Sequence, residues 1–305
     1  MANLKNYLSL IRFSHTIFAM PFALIGFFLG ITYLKQPLNS LTTLNQGWHT
    51  TIYSSSFLLC KFILVILCMI FARSAAMAFN RWLDNHFDKL NPRTAIREIP
   101  AGIIKPKNAL SFTIACCILF IFCTWFINRL CFYLSPLALL VVLGYSYTKR
   151  FTALCHLVLG LGLSLAPIGA YLALTGSFAL LPLLFSFTVL CWVSGFDVIY
   201  ALQDEAFDKA HHLHSVPAAI GKKRSLRVSE LLHLLSIAFA VYAGIFGHFG
   251  IFYWVGIFFF ACLLIYQHLL ISPNDLSKVN LAFFTTNGMA SVVFAVFVIV
   301  DLFLR

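Results

Sequence analysis

The chain has only ten carboxylates in 305 residues, and two groups of them are regularly spaced. NRWLDNHFDK (80–89) sets Asn80, Asp84 and Asp88 four residues apart. YALQDEAFDK (200–209) does the same with Tyr200, Asp204 and Asp208, and Asp197 lies one turn earlier. On a helix, residues four apart share a side and lie ~6 Å apart along the axis, so each group forms a stripe. Asp84, Asp88, Asp197, Asp204 and Asp208 converging near a membrane surface would repel one another unless neutralised. An all-oxygen donor set suits Mg²⁺, which keeps several waters and is readily shared between a few carboxylates and a substrate's phosphates.

The two groups are copies. Asn80, Asp84, Phe87, Asp88 and Lys89 correspond to Tyr200, Asp204, Phe207, Asp208 and Lys209 at an offset of 120, and IPAGIIKPK (99–107) corresponds to VPAAIGKKR (216–224) at an offset of 117. Such self-similarity marks a duplicated membrane fold. The copies follow the second and sixth apolar runs, so the repeats are parallel and both stripes are expected at one membrane face. The loops on that side carry bases: Arg93, Arg97, Lys105, Lys107, Lys149, Arg150 and Lys209, with Arg12 near the inner end of the first span. Arginine forks and lysine charges beside Mg²⁺ are what a diphosphate demands. A prenyl diphosphate needs both parts: its head at the metal cluster and its tail among helices open to lipid.

The elements that must hold these stripes are membrane helices. Hydrophobic residues make up 61% of the chain and charged ones 10%, far from the composition of an ordinary soluble domain. Runs long enough to cross ~30 Å of hydrocarbon occur at 13–34, 56–80, 109–128, 130–148, 157–175, 179–200, 229–246, 250–271 and 283–303. They are continuously apolar, unlike the alternating segments of a β-barrel. The expectation is an all-α integral membrane bundle of nine transmembrane helices, with residues 1–305 forming a single transmembrane domain. The N-terminal segment lacks a small-residue cleavage site after its first apolar run and reads as retained.

With a cytoplasmic N-terminus, sixteen Lys and Arg fall inside and four outside, namely Lys35, Lys61, Arg129 and Arg305. This bias sets the expected orientation, with the Asp-rich stripes cytoplasmic. It also accounts for the net charge of +11 without a nucleic-acid partner. The nine cysteines lie mostly within apolar runs, form no C-x-x-C pair and read as small hydrophobes. His211, His212 and His214 read as a soft loop rather than a metal site.

The stretch NRWLDNHFDKLNPRTAIREIPAG resembles the first Asp-rich motif, N-D-x-x-D-x-x-x-D, of the UbiA prenyltransferase superfamily. DVIYALQDEAFD resembles its second motif, and YSYTKR its basic loop after the fourth helix. The likeness covers essentially the whole chain. It implies Mg²⁺ held by Asn80, Asp84, Asp88, Asp204 and Asp208, with a polyprenyl diphosphate bound by the surrounding bases. Within the superfamily the stretch from Ala72 looks most like the 4-hydroxybenzoate polyprenyltransferase branch, which includes members of the futalosine route to menaquinone. An aromatic acid is then the acceptor, in the inner membrane of a bacterium making ubiquinone or menaquinone. Asp84 and Asp204 would be catalytic through the metal, Tyr145, Tyr147 or Tyr200 would shield an allylic cation, and Asp197 would orient the acceptor or assist proton loss.

One position departs from the motif: Arg81 stands where the family usually has an acid. Acceptors of the naphthoate, haem or chlorophyll type are the alternatives within the superfamily. Outside it, a divalent-cation transporter would set its acids at the membrane midplane, and a head-group transferase would carry a D-G-x-x-A-R run that this chain lacks.

Overall fold

The computed structural model describes residues 4–11, 20–35 and 54–304. The described residues are helical throughout, apart from loops and one isolated bridge between Ser272 and Asp275. A short α1 (Leu4–Leu10) precedes α2 (Met20–Lys35) and α3 (Ser55–Leu83), after which a brief α4 (Asn85–Leu90) leads into an irregular loop. Then come α5 (Pro106–Ile127), α6 (Arg129–Thr148), α7 (Cys155–Thr175) and α8 (Leu180–Ala201). A 3₁₀ turn and two short helices, α9 (Glu205–Ala210) and α10 (Val216–Ile220), lead to α11 (Lys222–Phe246), α12 (Ile251–Leu269) and α13 (Asn287–Leu304).

Eight of these stretches are long and apolar enough to span a membrane, and α2 is a shorter apolar helix. The protein is therefore an integral, multi-pass membrane protein, and the expected nine helices are accounted for. Of the first expected span, residues 13–19 lie outside the described residues. The boundaries differ most at α11, which begins at Lys222 rather than 229. Its first turns carry Lys222, Lys223, Arg224 and Arg227, so the helix continues beyond the apolar run that marks hydrocarbon.

Local signals explain the ends. Asn128 is extended, its side-chain oxygen accepting from the Cys131 N–H at 2.8 Å while its amide donates to the Leu172 carbonyl at 2.8 Å, so one residue caps α6 and ties it to α7. Gly176, at φ 62°, closes α7 in the left-handed conformation. The centre of the bundle is α8, whose Trp192 is fully buried against Phe22, Phe196 and Phe260 and donates to Asn287 Oδ1 at 3.0 Å. A π-helical turn at Leu281–Thr286 starts the last span, and Gln267 and Asn287 donate to the Ala282 carbonyl it frees.

The stretch 159–171 is rich in small residues, which predicts close helix packing, and the structure selects among them. A Cβ on Gly160 would fall onto Ser194 Oγ and the Leu190 carbonyl of α8, whereas Gly162 has only ordinary contact and Gly169 faces open space. α2 packs closely on the same helix, since a Cβ on Gly26 would fall onto the Pro167 backbone.

Candidate active site

Both Asp-rich stripes reach one cavity of about 280 Å³ at the end of the bundle. Its walls include Asn80, Asp84 and Asp88 from the first copy, Asp197, Tyr200, Asp204 and Asp208 from the second, and Tyr145, Lys149 and Arg150 from the end of α6. The loop after α4 supplies Arg93 and Arg97.

The duplication extends to the backbone. α3 stops at Asp84 (φ −87°, ψ 5°), and the 3₁₀ turn after α8 stops at Asp204 (φ −100°, ψ 4°). Each break is followed by a six-residue helix carrying the last acid, Asp88 or Asp208, which is buried in both copies. The stripes are thus bent at their middle acid rather than lying on straight helices. The four-residue register survives the bend: the Asp84 N–H donates to the Asn80 carbonyl at 2.9 Å, and the Asp88 N–H to that of Asp84 at 2.8 Å.

Every acid in the cavity has a positioned partner. Arg93 grips Asp204 through two nitrogens, at 3.1 and 2.5 Å, and donates to the Tyr200 hydroxyl at 3.1 Å. Asn91 donates to the same Asp204 at 3.2 Å and its side-chain oxygen accepts from the Arg93 N–H at 3.0 Å, fixing the turn that delivers the arginine. Arg97 meets Asp88 at 2.7 Å, Lys149 meets Asp208 at 2.7 Å, and Arg150 stands 3.6 Å from Asp84. Asp208 is fully buried and also accepts from Ser215 Oγ at 2.8 Å. Asp197 is paired with the His156 ring at 2.6 Å.

These neighbours shift the ionisations. Burial, and then the charge of Asp88, push the Asp84 carboxyl up to about 6 despite Arg150. Burial works against the charge on Arg93, but the hydrogen bond and charge of Asp204 outweigh it and hold the guanidinium above its ordinary value. Lys149 behaves alike: burial disfavours its charge, and Asp208 more than restores it.

The donors suit a hard cation. Asn80, Asp84, Asp88, Asp204 and Asp208 offer oxygen ligands, and Asp88 Oδ2 is buried with no hydrogen-bond partner, a lone pair that a divalent ion would satisfy. Among the described residues no three acidic, His or Cys side chains already converge on one point. Asp84, Asp88, Asp204 and Asp208 are each turned toward a different Lys or Arg, and Asp197 toward His156.

Some residues singled out by sequence fall elsewhere. Lys209 is exposed and pairs with Glu205 at 2.6 Å, Lys105 and Lys107 are exposed, and Tyr147 packs on Phe79 and Arg150 outside the cavity wall. Arg12 lies outside the described residues. Arg81 is buried and absent from the cavity wall, so the departure from the motif does not fall on the lining.

Sequence reasoning missed His156, Asn91, Ser215 and Phe283. Asn91 and Ser215 sit in the conspicuous polar loops after each stripe, which is a usable signal. His156 and Phe283 come from α7 and the π turn, where nothing in the spacing marks them.

Residues 19–289 match the UbiA prenyltransferase family. The chain belongs to that family. A 4-hydroxybenzoate octaprenyltransferase of Francisella tularensis subsp. novicida is 30% identical over 177 residues, which are 58% of this chain and 62% of that protein. The match thus spans less than two thirds of that relative. One of the same name from Tolumonas auensis is 29% identical over 200 residues, 65% of this chain and 70% of its own.

Among solved structures, a UbiA homolog from Aeropyrum pernix without ligand is 29% identical, with a TM-score of 0.78 covering 94% of this chain and 98% of that one. A UbiA homolog from Archaeoglobus fulgidus bound to GPP and Mg²⁺ shares the fold, with 20% identity, a TM-score of 0.69 and coverage of 97% and 99%.

Proposed function

We propose that this UbiA-family protein transfers a polyprenyl group from a polyprenyl diphosphate to the ring of an aromatic acid, 4-hydroxybenzoate or a close relative, in quinone biosynthesis. The observation that carries the reading is one cavity in which Asp84, Asp88, Asp204 and Asp208, the acids of two duplicated motifs, are each held by a different Lys or Arg. The Archaeoglobus homolog with GPP and Mg²⁺ supports the donor class and the metal, and the curated relatives' names support the acceptor. On this reading residues 1–305 act as one transmembrane prenyltransferase domain in the inner membrane, and the positive-inside bias supports a cytoplasmic cavity.

Asn80, Asp84, Asp88, Asp204 and Asp208 would hold Mg²⁺. When bound, the metal neutralises the diphosphate and acts as a Lewis acid on its oxygens. Arg93, Arg97, Lys149 and Arg150 are paired with Asp204, Asp88, Asp208 and Asp84, and would face the diphosphate were those carboxylates to hold Mg²⁺. Tyr200, held by Arg93 and tilted against Phe283 with ring centroids 4.2 Å apart, and Tyr145 line the cavity and would present aromatic faces where carbon–oxygen cleavage develops positive charge.

Purified protein in detergent, given Mg²⁺, a long prenyl diphosphate and 4-hydroxybenzoate, is expected to yield the prenylated ring, and chelator is expected to abolish it. No product with any member of a panel of aromatic acceptors would overturn the proposal.

A further inference from the structure

Asp197 differs from the other four cavity acids in its partner. Those four meet Lys or Arg, whereas among the described residues Asp197 meets His156 alone, whose Nδ1 lies 2.6 Å from Oδ2. The far ring nitrogen settles the proton's place. The Val216 N–H points at His156 Nε2 from 3.3 Å, so Nε2 accepts, and the ring proton is on Nδ1, donated to the carboxylate. A doubly protonated ring would turn two N–H groups against each other at Val216.

His156, on α7, is nearly fully buried; its ring is held at both nitrogens, by Asp197 and the Val216 N–H, and its backbone carbonyl accepts from Ser194 Oγ of α8 at 3.1 Å. Asp197 keeps about a fifth of its side chain open and lines the cavity. Among the described residues only one of its two oxygens has a hydrogen-bond partner.

We infer that His156 is a positioning residue that fixes Asp197 so that its second carboxylate oxygen receives the ring hydroxyl of the acceptor. This rests on the proposed prenyl transfer. Accepting that hydrogen bond raises the electron density of the ring. The ring carbon beside the hydroxyl then forms its bond to C1 of the prenyl group as the C1–oxygen bond to diphosphate breaks. The displaced ring proton passes to the Asp197 carboxylate and on to water, leaving prenylated phenol, diphosphate and one proton. Asp197 without a Lys or Arg partner is suited to this, because an ion pair would hold the charge that the hydroxyl must feel. A ring without a hydroxyl has nothing to offer this oxygen, so the acceptor class is narrowed to hydroxylated aromatics.

Three variants of the full-length protein separate positioning from mere packing. H156N keeps an N–H where Nδ1 stood, H156Q keeps an acceptor near Val216 without it, and H156A keeps neither. With prenyl diphosphate and 4-hydroxybenzoate, H156A and H156Q are expected to lose on the order of 10²-fold in kcat/KM for the acceptor. H156N recovers most of it, and KM for the prenyl diphosphate stays within about threefold throughout.

Equal activity of all three variants, recovery by Gln as full as by Asn, or failure of folded H156N to exceed H156A would overturn the assignment; folding is read from the thermal midpoint of each variant in detergent. So would prenylation of benzoate by the unaltered protein as fast as of 4-hydroxybenzoate. An unaltered protein inactive with every ring acceptor would instead overturn the prenyl-transfer reading itself.

Discussion

At the scale of single residues, Asp84 shows how the cavity tunes its own ligands. Its carboxyl rises from an ordinary 3.8 to about 6 because burial and then Asp88 disfavour the charge. Between those values the folded protein holds a proton that the unfolded chain has released, so this group's contribution to the stability of the metal-free protein declines as pH rises through that window. Metal binding has the opposite sign, since the ion needs the carboxylate and competes with the proton. The Mg²⁺-induced rise in thermal midpoint is therefore expected to be small at pH 5 and full at pH 7.5, and equal shifts at both would remove Asp84 from the ligand set. Replacing Asp84 or Asp204 by Ala is expected to lower turnover by at least ~10²-fold while the helices remain folded by circular dichroism. Arg93→Lys tests the fork: a lysine cannot grip Asp204 through two nitrogens and also reach Tyr200. Its expected signature is a raised KM for the prenyl diphosphate, and an unchanged KM would take Arg93 out of phosphate binding.

At the scale of elements, the site depends on how closely α7 approaches α8, because α7 carries His156 and α8 carries Asp197. The contact is set by Gly160, over which the Ser194 hydroxyl and the Leu190 carbonyl of α8 lie with no room for a Cβ. Backbones meet this closely in membranes only where small residues allow it. Gly160→Ala is expected to cost about 1–3 kcal/mol by overpacking, and to lower activity by shifting His156 against Asp197. Gly169→Ala, on the same helix but facing open space, is the control expected to leave the thermal midpoint unchanged. The breaks at Asp84 and Asp204 belong to this scale too. By bending each stripe at its middle member, they let the last acid of each copy sink into the protein while Asn80 and Tyr200 stay on the membrane helices.

At the scale of the whole molecule, eight long apolar helices and the shorter α2 form the bundle, and the cavity at its end is lined by α3, α6, α7 and α8 with charged loops from both halves of the chain. The orientation proposed from the Lys and Arg bias has a direct check. Green fluorescent protein fused after His212 should fluoresce and alkaline phosphatase at the same point should be inactive, because both report a cytoplasmic loop. The reverse pattern would place the cavity on the other side.

The sequence alone determines the all-helical membrane architecture, because continuous apolar runs of span length admit no other fold in lipid. It also determines the two acidic stripes, since four-residue spacing is a local property of a helix. The duplication follows from the same text, through the constant offset between the copies. Only the tertiary structure assigns partners: which base meets which acid, that Lys209 turns away to Glu205, and that a histidine 41 residues before Asp197 supplies its hydrogen bond. Ion pairs and hydrogen bonds reach a few ångströms, whereas the residues that make them come from different helices. Their meeting is decided by how the helices pack, and small residues such as Gly160 set that packing without any pattern that marks them in advance.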